Sequence, residues 1–305
     1  MNRRDLPSPL VLGAAVAAAL VVLLLAVPLV ALVWRTLQGN ALPPALHNQA
    51  VLAALQLSLL TSLTSLALAI VFGTPLAYAL ARVSFPGRGL VDALMEVPIV
   101  LPPAVAGIAL LMAFGRRGLL GSFLAEMGIG LAFTPWAVVI AQCFVAIPFY
   151  VRSARTGFAG VDRELERTAY TLGASPLATF RRVTVPLAFP SLMAGAVLCW
   201  ARALGEFGAT IMFAGSFRGR TQTMPLAIYA ALETDLGAAL ALGTILVVVS
   251  VLVLATVHLV TRRREASAGS AVPAGDDSLA LPPLEPRAAA PAPDPDVPEV
   301  VDARR

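Results

Sequence analysis

Two opposite charges lie inside a long apolar stretch of the chain. Arg202 and Glu206 are four residues apart in the run 187–213, so on a helix they share one face and can neutralise each other. One charge at the centre of a bilayer costs about 2.5–3.5 kcal/mol. The pair predicts a water-lined cavity or a protein interface, and a purely structural ion pair between helices explains the same pattern. Gly205 and Gly208 permit close helix packing or a break in the helix.

A second unusual group is a proline cluster, Pro98, Pro102 and Pro103, followed by Gly107. Proline removes a backbone donor and disfavours helix in the residue before it. Broken backbone at membrane depth is tolerated only where protein buries it or where it lines a cavity. The cluster therefore predicts a break that lines a translocation pathway, and a proline kink that serves packing alone is the alternative.

Several kinds of chemistry are excluded by the composition. Cys143 and Cys199 lie in apolar runs and His47 and His258 are isolated, so the sequence predicts neither a disulfide framework nor a metal site. The chain has no lysine and no G-x-x-x-x-G-K-[ST] phosphate-binding loop. We therefore expect no enzyme activity and no cofactor in this chain. The net charge of +4 comes from arginines at the ends of apolar runs, so nucleic-acid binding is not predicted.

Transmembrane helices are the elements that position these residues. Of 305 residues, 58% are hydrophobic and 13% charged, whereas about 25% are charged in a soluble domain. A spanning helix needs roughly 20 apolar residues, and the alternating pattern of a membrane barrel is absent. We predict an all-α polytopic membrane protein with about six transmembrane helices. The expected spans are Leu10–Val33, Val51–Ala81, Ala93–Phe114, Pro135–Tyr150, Leu187–Phe213 and Gly237–Val260.

The distribution of arginines gives the expected orientation. Cytoplasmic segments of membrane proteins are enriched in positive residues, and an inside N-terminus places most arginines on the inner side. Both termini are therefore expected in the cytoplasm, with the polar segment 160–186 on the same side. The outer segments then hold only Arg35, Arg116, Arg117, Arg218 and Arg220.

We divide the chain into three parts, and a sharp change of composition after Arg264 sets off the last of them. Residues 1–50 contain a cytoplasmic N-terminal segment, the first transmembrane helix and an outer loop, and residues 51–260 form the transmembrane domain with the cytoplasmic loop 160–186. Residues 266–305 are rich in Pro, Ala and Asp. They cannot bury enough apolar surface to offset the entropy of ordering, so we expect a disordered cytoplasmic tail.

The polar loop predicts two short helices. Acidic residues open the first, from Asp162 to Gly173, and glycine tolerates the left-handed conformation that ends a helix. Ser175 and Pro176 start the second, Leu177 to Arg182, which Val185-Pro186 closes. Leu177 and Phe180 are expected on one face of it. Such a short amphipathic helix fits a groove on a soluble partner.

This loop resembles the cytoplasmic "EAA" loop of ABC transporter permeases of the type I importer class. One alanine of the usual pair is replaced by Thr168, and the acid is displaced by one residue from the general spacing. The resemblance implies that the loop docks on a separate ATPase subunit, which would bind ATP and Mg²⁺. The matching residues are Glu166, Ala169, Gly173, Ala174, Ser175, Pro176, Phe180 and Val183–Pro186.

A second resemblance covers most of the chain from about Val51 to Val260. The stretches MEVPIVLPPAVAGIALL, ARALGEFGATIMFAG and RTQTMPLAIY are similar to molybdate ABC permeases and to the related sulfate and tungstate permeases. Thr210 is one of the matching positions, whereas Ser216 and Arg218 depart from the Asn and Pro usual there. The resemblance implies a bacterial inner-membrane homodimer, two ATPase subunits, an extracytoplasmic oxyanion-binding protein, and molybdate as cargo. Sulfate, thiosulfate or tungstate is the alternative cargo.

Two other classes of protein explain less. An ATP-independent secondary transporter or channel would account for the intramembrane charges but not for the docking loop. An intramembrane enzyme needs a nucleophile or metal constellation, which isolated Cys143, Cys199 and His258 do not supply.

Overall fold

The computed structural model describes residues 9–269, and the structural statements below concern that part of the chain. Its regular structure is helical, without a strand in the described residues, which confirms the predicted all-α fold. The helices of the described residues are α1 (Pro9–Gln38), α2 (Leu42–His47), α3 (Gln49–Arg82), α4 (Arg88–Val100), α5 (Pro103–Phe114), α6 (Gly121–Glu126), α7 (Pro135–Ala159), α8 (Arg163–Thr171), α9 (Pro176–Thr179), α10 (Val185–Leu204), α11 (Gly208–Ala214), α12 (Met224–Leu232) and α13 (Leu236–Gly269). A π-helical turn, Phe180–Thr184, joins α9 to α10.

Five helical segments are long and apolar enough to cross a membrane, and the number is six when the bent pair α4–α5 is counted as one span. The five are α1, α3, α7, α13 and the continuous segment Pro176–Leu204, which contains α9 and α10. The predicted number of spans is therefore confirmed. The fourth span is longer than expected, since α7 ends at Ala159 and not at Tyr150.

The third predicted span is not one helix. α4 and α5 meet at 120° across Leu101 and Pro102. Both residues are extended, with ψ of 133°, because a following proline disfavours helix. Pro103 opens α5, where a missing backbone N–H costs little. The helix continues through Pro98, which is buried in α4, so the break that the proline cluster predicts within the span Ala93–Phe114 falls at Leu101 and Pro102.

Helices α3 and α7 pack side by side in the same direction. The Ser65 hydroxyl donates to Oε1 of Gln142 at 3.0 Å, and at the other end of the pair Arg82 Nη2 donates to the carbonyl oxygen of Val161 at 2.6 Å. The partners advance along both helices together, so the two helices are parallel. The chain must therefore return to the opposite end between them, and α4–α5 lies on that return.

The neighbouring helix α10 runs antiparallel to α7. A Cβ on Gly157 would lie 2.5 Å from the Ser191 Cβ, and a Cβ on Gly195 would lie 2.8 Å from the Ser153 Cβ, so the partners advance in opposite directions along the two helices. The Ser153 hydroxyl also donates to the carbonyl oxygen of Ser191 at 2.8 Å. Small residues thus let the two backbones approach closely, as is common between membrane helices. On another side of α7, Arg155 forms an ion pair with Asp92 of α4.

The ends of the helices fall into two groups. The Thr36 hydroxyl near the end of α1 lies 2.8 Å from that of Thr244 near the beginning of α13. Val51 near the beginning of α3 shares a core cluster with Leu242 of α13. The end of α1 and the beginnings of α3 and α13 therefore lie at one end of the bundle, whereas the last turns of α3 and α7 lie at the other.

Two further expectations need correction or remain open. The predicted fifth span, Leu187–Phe213, is wrong as a single helix, because α10 ends at Leu204 and a separate helix α11 begins at Gly208. Residues 266–269 of the predicted disordered tail belong to α13. Residues 270–305 lie outside the described part, so the disordered tail stays a prediction.

Candidate functional site

The first half of the polar loop is capped as the sequence predicts. Asp162 accepts a hydrogen bond from the Glu164 backbone N–H at 2.9 Å and begins α8. Gly173 has a left-handed φ of +84° directly after the helix, and the Ala174 N–H donates to the Ala169 carbonyl oxygen at 3.0 Å. This satisfies a carbonyl left free by the helix end. The predicted helix from Asp162 to Gly173 is confirmed as α8.

The second half of the loop differs from the prediction. Ser175 accepts a hydrogen bond from the Ala178 N–H at 3.3 Å and begins α9, with Pro176 in its first turn. The helix does not close at Pro186; it passes through the π turn straight into α10. A proline ring crowds the carbonyl group four residues earlier and removes one donor. The wider π turn accommodates both effects, so loop and span form one continuous helix.

Glu166 points into the protein. The residue is 8% exposed, and its Oε1 accepts a hydrogen bond from the Thr184 hydroxyl at 2.7 Å. Oε1 also lies 3.5 Å from Nη2 of Arg82, whose hydrogen bond to Val161 is described above. The acid of the loop thus contacts the end of α3 and the π turn before α10.

Phe180 also points inward. Its ring is 5.1 Å from that of Tyr78 on α3 and 6.0 Å from that of Phe158 on α7, centroid to centroid. Leu177, expected on the same face, is 65% exposed, so that expectation is wrong. The inward face of this segment consists of Thr179, Phe180 and Thr184, and Leu177 lies outside it.

The exposed tip of the loop is apolar at its two ends. Leu172 is 83% exposed and Leu177 is 65% exposed. Between them Gly173, Ser175 and Pro176 are exposed, whereas Ala174 is half-buried. Ala169, in α8, is half-buried as well. We call the segment 172–177 the tip.

The second candidate region is the break after α10. Nη1 of Arg202 lies 2.6 Å from Oε2 of Glu206, as the four-residue spacing predicts. Oε1 of Glu206 accepts a hydrogen bond from the Ala209 backbone N–H at 2.8 Å, so the acid also caps α11. Gly205 has φ of −85°, a conformation open to any residue. The carboxylate is buried, and the arginine side chain is 30% exposed.

The two broken spans meet at their glycines. A Cβ on Gly107 of α5 would lie 2.6 Å from the Cβ of Met212 in α11, and a Cβ on Gly208 would lie 2.6 Å from that of Pro103. The structure therefore brings together these candidates from the third and fifth spans. Pro98 is buried and Pro102 is exposed. The Thr210 hydroxyl is buried and has no hydrogen-bond partner among the described residues.

A family comparison decides the identity of the fold. Residues 69–266 match the family described as "Binding-protein-dependent transport system inner membrane component". The chain belongs to this family. It is a permease, the multi-pass inner-membrane subunit of a type I ABC importer, which confirms the resemblance inferred from the loop.

Relatives of the permease cover most of its length. It is 50% identical to the molybdenum transport system permease protein ModB of Mycobacterium tuberculosis over 204 residues, which are 66% of this chain and 76% of that one. It is 37% identical to the sulfate transport system permease protein CysT of Salmonella typhimurium over 265 residues, 86% of this chain and 95% of that one.

The fold of the permease also occurs in solved transporters. A bacterial ABC transporter involved in the import of the acidic polysaccharide alginate superposes with a TM-score of 0.66 at 16% identity, covering 83% of this chain and 95% of that chain. At this identity the likeness concerns the fold alone.

Sequence analysis missed two features of the permease loop. Arg82 is one of the arginines that the positive-inside rule places on the inner side, and no local signal connects it to Glu166. Leu172 was not singled out, although an apolar residue directly before the helix-ending Gly173 is a usable signal of an exposed hydrophobic tip. No group of three or more His, Cys, Asp or Glu side chains within the described residues is arranged to hold a metal ion.

Proposed function

We propose that this permease imports molybdate, as a homodimer bound to two ABC ATPase subunits and served by an extracytoplasmic oxyanion-binding protein. The observation that carries the cargo assignment is the 50% identity to a molybdenum transport permease. ATP and Mg²⁺ would bind to the ATPase subunits, since the chain contains no phosphate-binding loop of its own.

The tip is the proposed ATPase-docking surface. Leu172 and Leu177 are the most exposed large apolar side chains of a loop that also carries Glu164, Arg167, Arg181 and Arg182, whereas Leu165 and Tyr170 are about half exposed. An exposed apolar pair with a polar surround is typical of a protein contact. Glu166 and Phe180 support this surface from inside, where they contact the membrane helices.

The proposed orientation places the tip and both chain termini in the cytoplasm. The last turns of α3 and α7 lie at the end of the bundle that carries the loop, and the end of α1 and beginning of α13 lie at the opposite end. The beginning of α1 and the later part of α13 are then on the loop side. The excess of arginine on that side supports assigning it to the cytoplasm.

The continuous helix from the tip into α10 supports a mechanical role for the loop. The 20 residues of α10 extend about 30 Å, which carries a displacement of the tip across the bilayer. At the far end lie the Arg202–Glu206 pair and the contact of α11 with α5. In the proposed cycle, ATP binding closes the ATPase pair, moves the two loops together and opens a central pathway outward, and hydrolysis returns it to the inward state.

Sulfate is the alternative cargo, because the sulfate permease relative matches over 86% of the chain. Molybdate, tungstate and sulfate share charge and shape and differ slightly in size. A pathway must bind its cargo weakly enough to release it, so we assign the discrimination to the binding protein.

Reconstitution tests the proposed cargo. The permease, its ATPase and its cognate binding protein are assembled in lipid vesicles, and ATP hydrolysis is measured with molybdate, tungstate or sulfate. We expect the largest stimulation and vesicle uptake with molybdate. Stronger stimulation by sulfate would assign the permease to the alternative cargo, and no response to any of the three would overturn the assignment to oxyanion import.

A further inference from the structure

Two acids of α8 have opposite surroundings. Glu164 is exposed and pairs with Arg167 on the same helix, where both side chains are more than two-thirds exposed. Glu166, two residues on, is buried and faces Arg82, whose side chain is only 8% exposed. An exposed ion pair contributes little to the stability of a protein, whereas a buried charge destabilises the fold when its partners are removed. The inward-facing acid is therefore the one with structural consequences.

The partners of Glu166 come from separate parts of the fold. Arg82 ends α3 and donates to the carbonyl oxygen of Val161, the link between α7 and α8. Thr184 ends the π turn before α10, and its hydroxyl is buried against the carboxylate at 2.7 Å. The carboxylate thus joins α8 to the end of α3 and to the π turn before α10, and Arg82 extends the contact to the link after α7. The aromatic contact of Phe180 with Tyr78 also connects the π turn to α3.

We infer that Glu166 is a positioning residue that locks the docking loop to the end of α3, and that it does not contact the ATPase. This inference rests on the proposed role of the tip as the docking surface. With the lock intact, a displacement of the tip moves α3 and α10 together. Without it, α8 can tilt while the helices of the membrane domain stay in place, so ATP is hydrolysed without transport.

The test compares variants in two independent measurements. Glu166→Gln removes the charge that faces Arg82, Leu172→Ser with Leu177→Ser removes the apolar tip, and Glu164→Gln is the matched control on the same helix. The first measurement is the Kd between the vesicle-embedded permease and its ATPase, which requires no cargo. The second is the amount of molybdate imported per ATP hydrolysed in the complete complex.

The inference predicts different responses. Glu166→Gln keeps its Kd within about twofold and loses about tenfold in molybdate imported per ATP, a usual size for coupling between sites. The tip variant weakens Kd about tenfold or more, as loss of a central contact does. Glu164→Gln changes neither. A Kd for Glu166→Gln as weak as that of the tip variant, or unchanged import per ATP, would overturn the inference. An unchanged Kd in the tip variant would instead overturn the proposed docking surface.

A second variant keeps the inference testable if Glu166→Gln does not fold. Thr184→Val removes one hydroxyl of nearly the same shape and leaves Glu166 and Arg82 in place. We expect import per ATP to fall about threefold with Kd unchanged, since one hydrogen bond to a charged group is lost. Import per ATP equal to that of the wild type would count against the lock.

Discussion

The loop and the intramembrane break each contain a buried carboxylate, and the two carboxylates differ in how far along the chain their partners lie. Glu166 and Glu206 each face an arginine, and each also accepts a hydrogen bond, Glu166 from the Thr184 hydroxyl and Glu206 from the Ala209 backbone N–H. The partners of Glu206 lie within four residues of it. Those of Glu166 lie on other helices.

Glu206 therefore stabilises local structure, whereas Glu166 stabilises the packing of separate helices. The Glu206 contacts form as soon as the end of α10 and the first turn of α11 exist, so they fix the geometry of one break. The Glu166 contacts form only after α3, α8 and α10 have packed. The Arg82–Glu166 pair therefore depends on the relative position of whole helices. Its loss is expected to affect how these helices move together as well as the stability of the protein.

The largest effect is expected for Arg82→Ala, which leaves Glu166 buried without its counter-charge. Breaking a buried pair by removing one partner costs about 3–5 kcal/mol, and the Arg82 side chain is 8% exposed. Thermal unfolding of the detergent-solubilised permease measures the loss. A loss no greater than that of Arg218→Ala, an exposed arginine, would show that Glu166 is stabilised by other groups.

A smaller loss is expected for Arg202→Ala. The Arg202 side chain is 30% exposed, and Glu206 keeps the hydrogen bond from Ala209 after the change. We therefore expect the free energy of unfolding to fall by about 1–3 kcal/mol, the range for a buried polar group that loses one partner. The same unfolding measurement checks the order: a larger loss than for Arg82→Ala would reverse the comparison between the two carboxylates.

The contact between the broken spans predicts that Gly107→Ala lowers the free energy of unfolding by about 1–3 kcal/mol, because extra volume in a close-packed contact forces the backbones apart. Thermal unfolding of the solubilised permease measures the loss. The added Cβ would lie 2.8 Å from the carbonyl oxygen of Ala209. Gly89→Ala is the matched control, since Gly89 is also in a helix and its Cβ would meet nothing within 4 Å. Equal stability of the two variants would show that α5 and α11 are free to separate.

The smallest effects distinguish the glycines of the two regions. Gly173 has a φ of +84°, and a side chain in this conformation costs about 1–2 kcal/mol. Gly205 has a φ of −85°, so Gly205→Ala should stay within about 0.5 kcal/mol of the wild type. Thermal unfolding of the Gly173→Ala and Gly205→Ala variants measures the difference. A larger loss of stability for Gly205→Ala would mean that the break between α10 and α11 depends on glycine.

Local signals account for the parts that sequence analysis predicted. Caps at Asp162 and Ser175, the helix end at Gly173, and the four-residue spacing of Arg202 and Glu206 each depend on residues next to one another in the chain. Long apolar runs similarly gave the number of spans. The all-α fold followed from the apolar runs, and the family followed from the resemblance of the loop to the EAA loop of known permeases.

Tertiary geometry accounts for the parts that were missed. The direction of Glu166 depends on Arg82, which is distant in the chain, and that of Phe180 depends on rings from α3 and α7. The prolines predicted a break in the third span but not its angle of 120°, because the angle follows from packing against α7 and α11. Pro186 is a local signal for an irregular turn, but it does not distinguish a helix end from the π turn through which the helix continues into α10.

The bent pair also has a consequence for biogenesis. α4 and α5 contain 13 and 12 residues, so each is roughly 20 Å long, less than the ~30 Å of the hydrocarbon core. Neither half can leave the translocon as an independent membrane segment. The two halves of the third crossing must therefore enter the bilayer together, as one joint event.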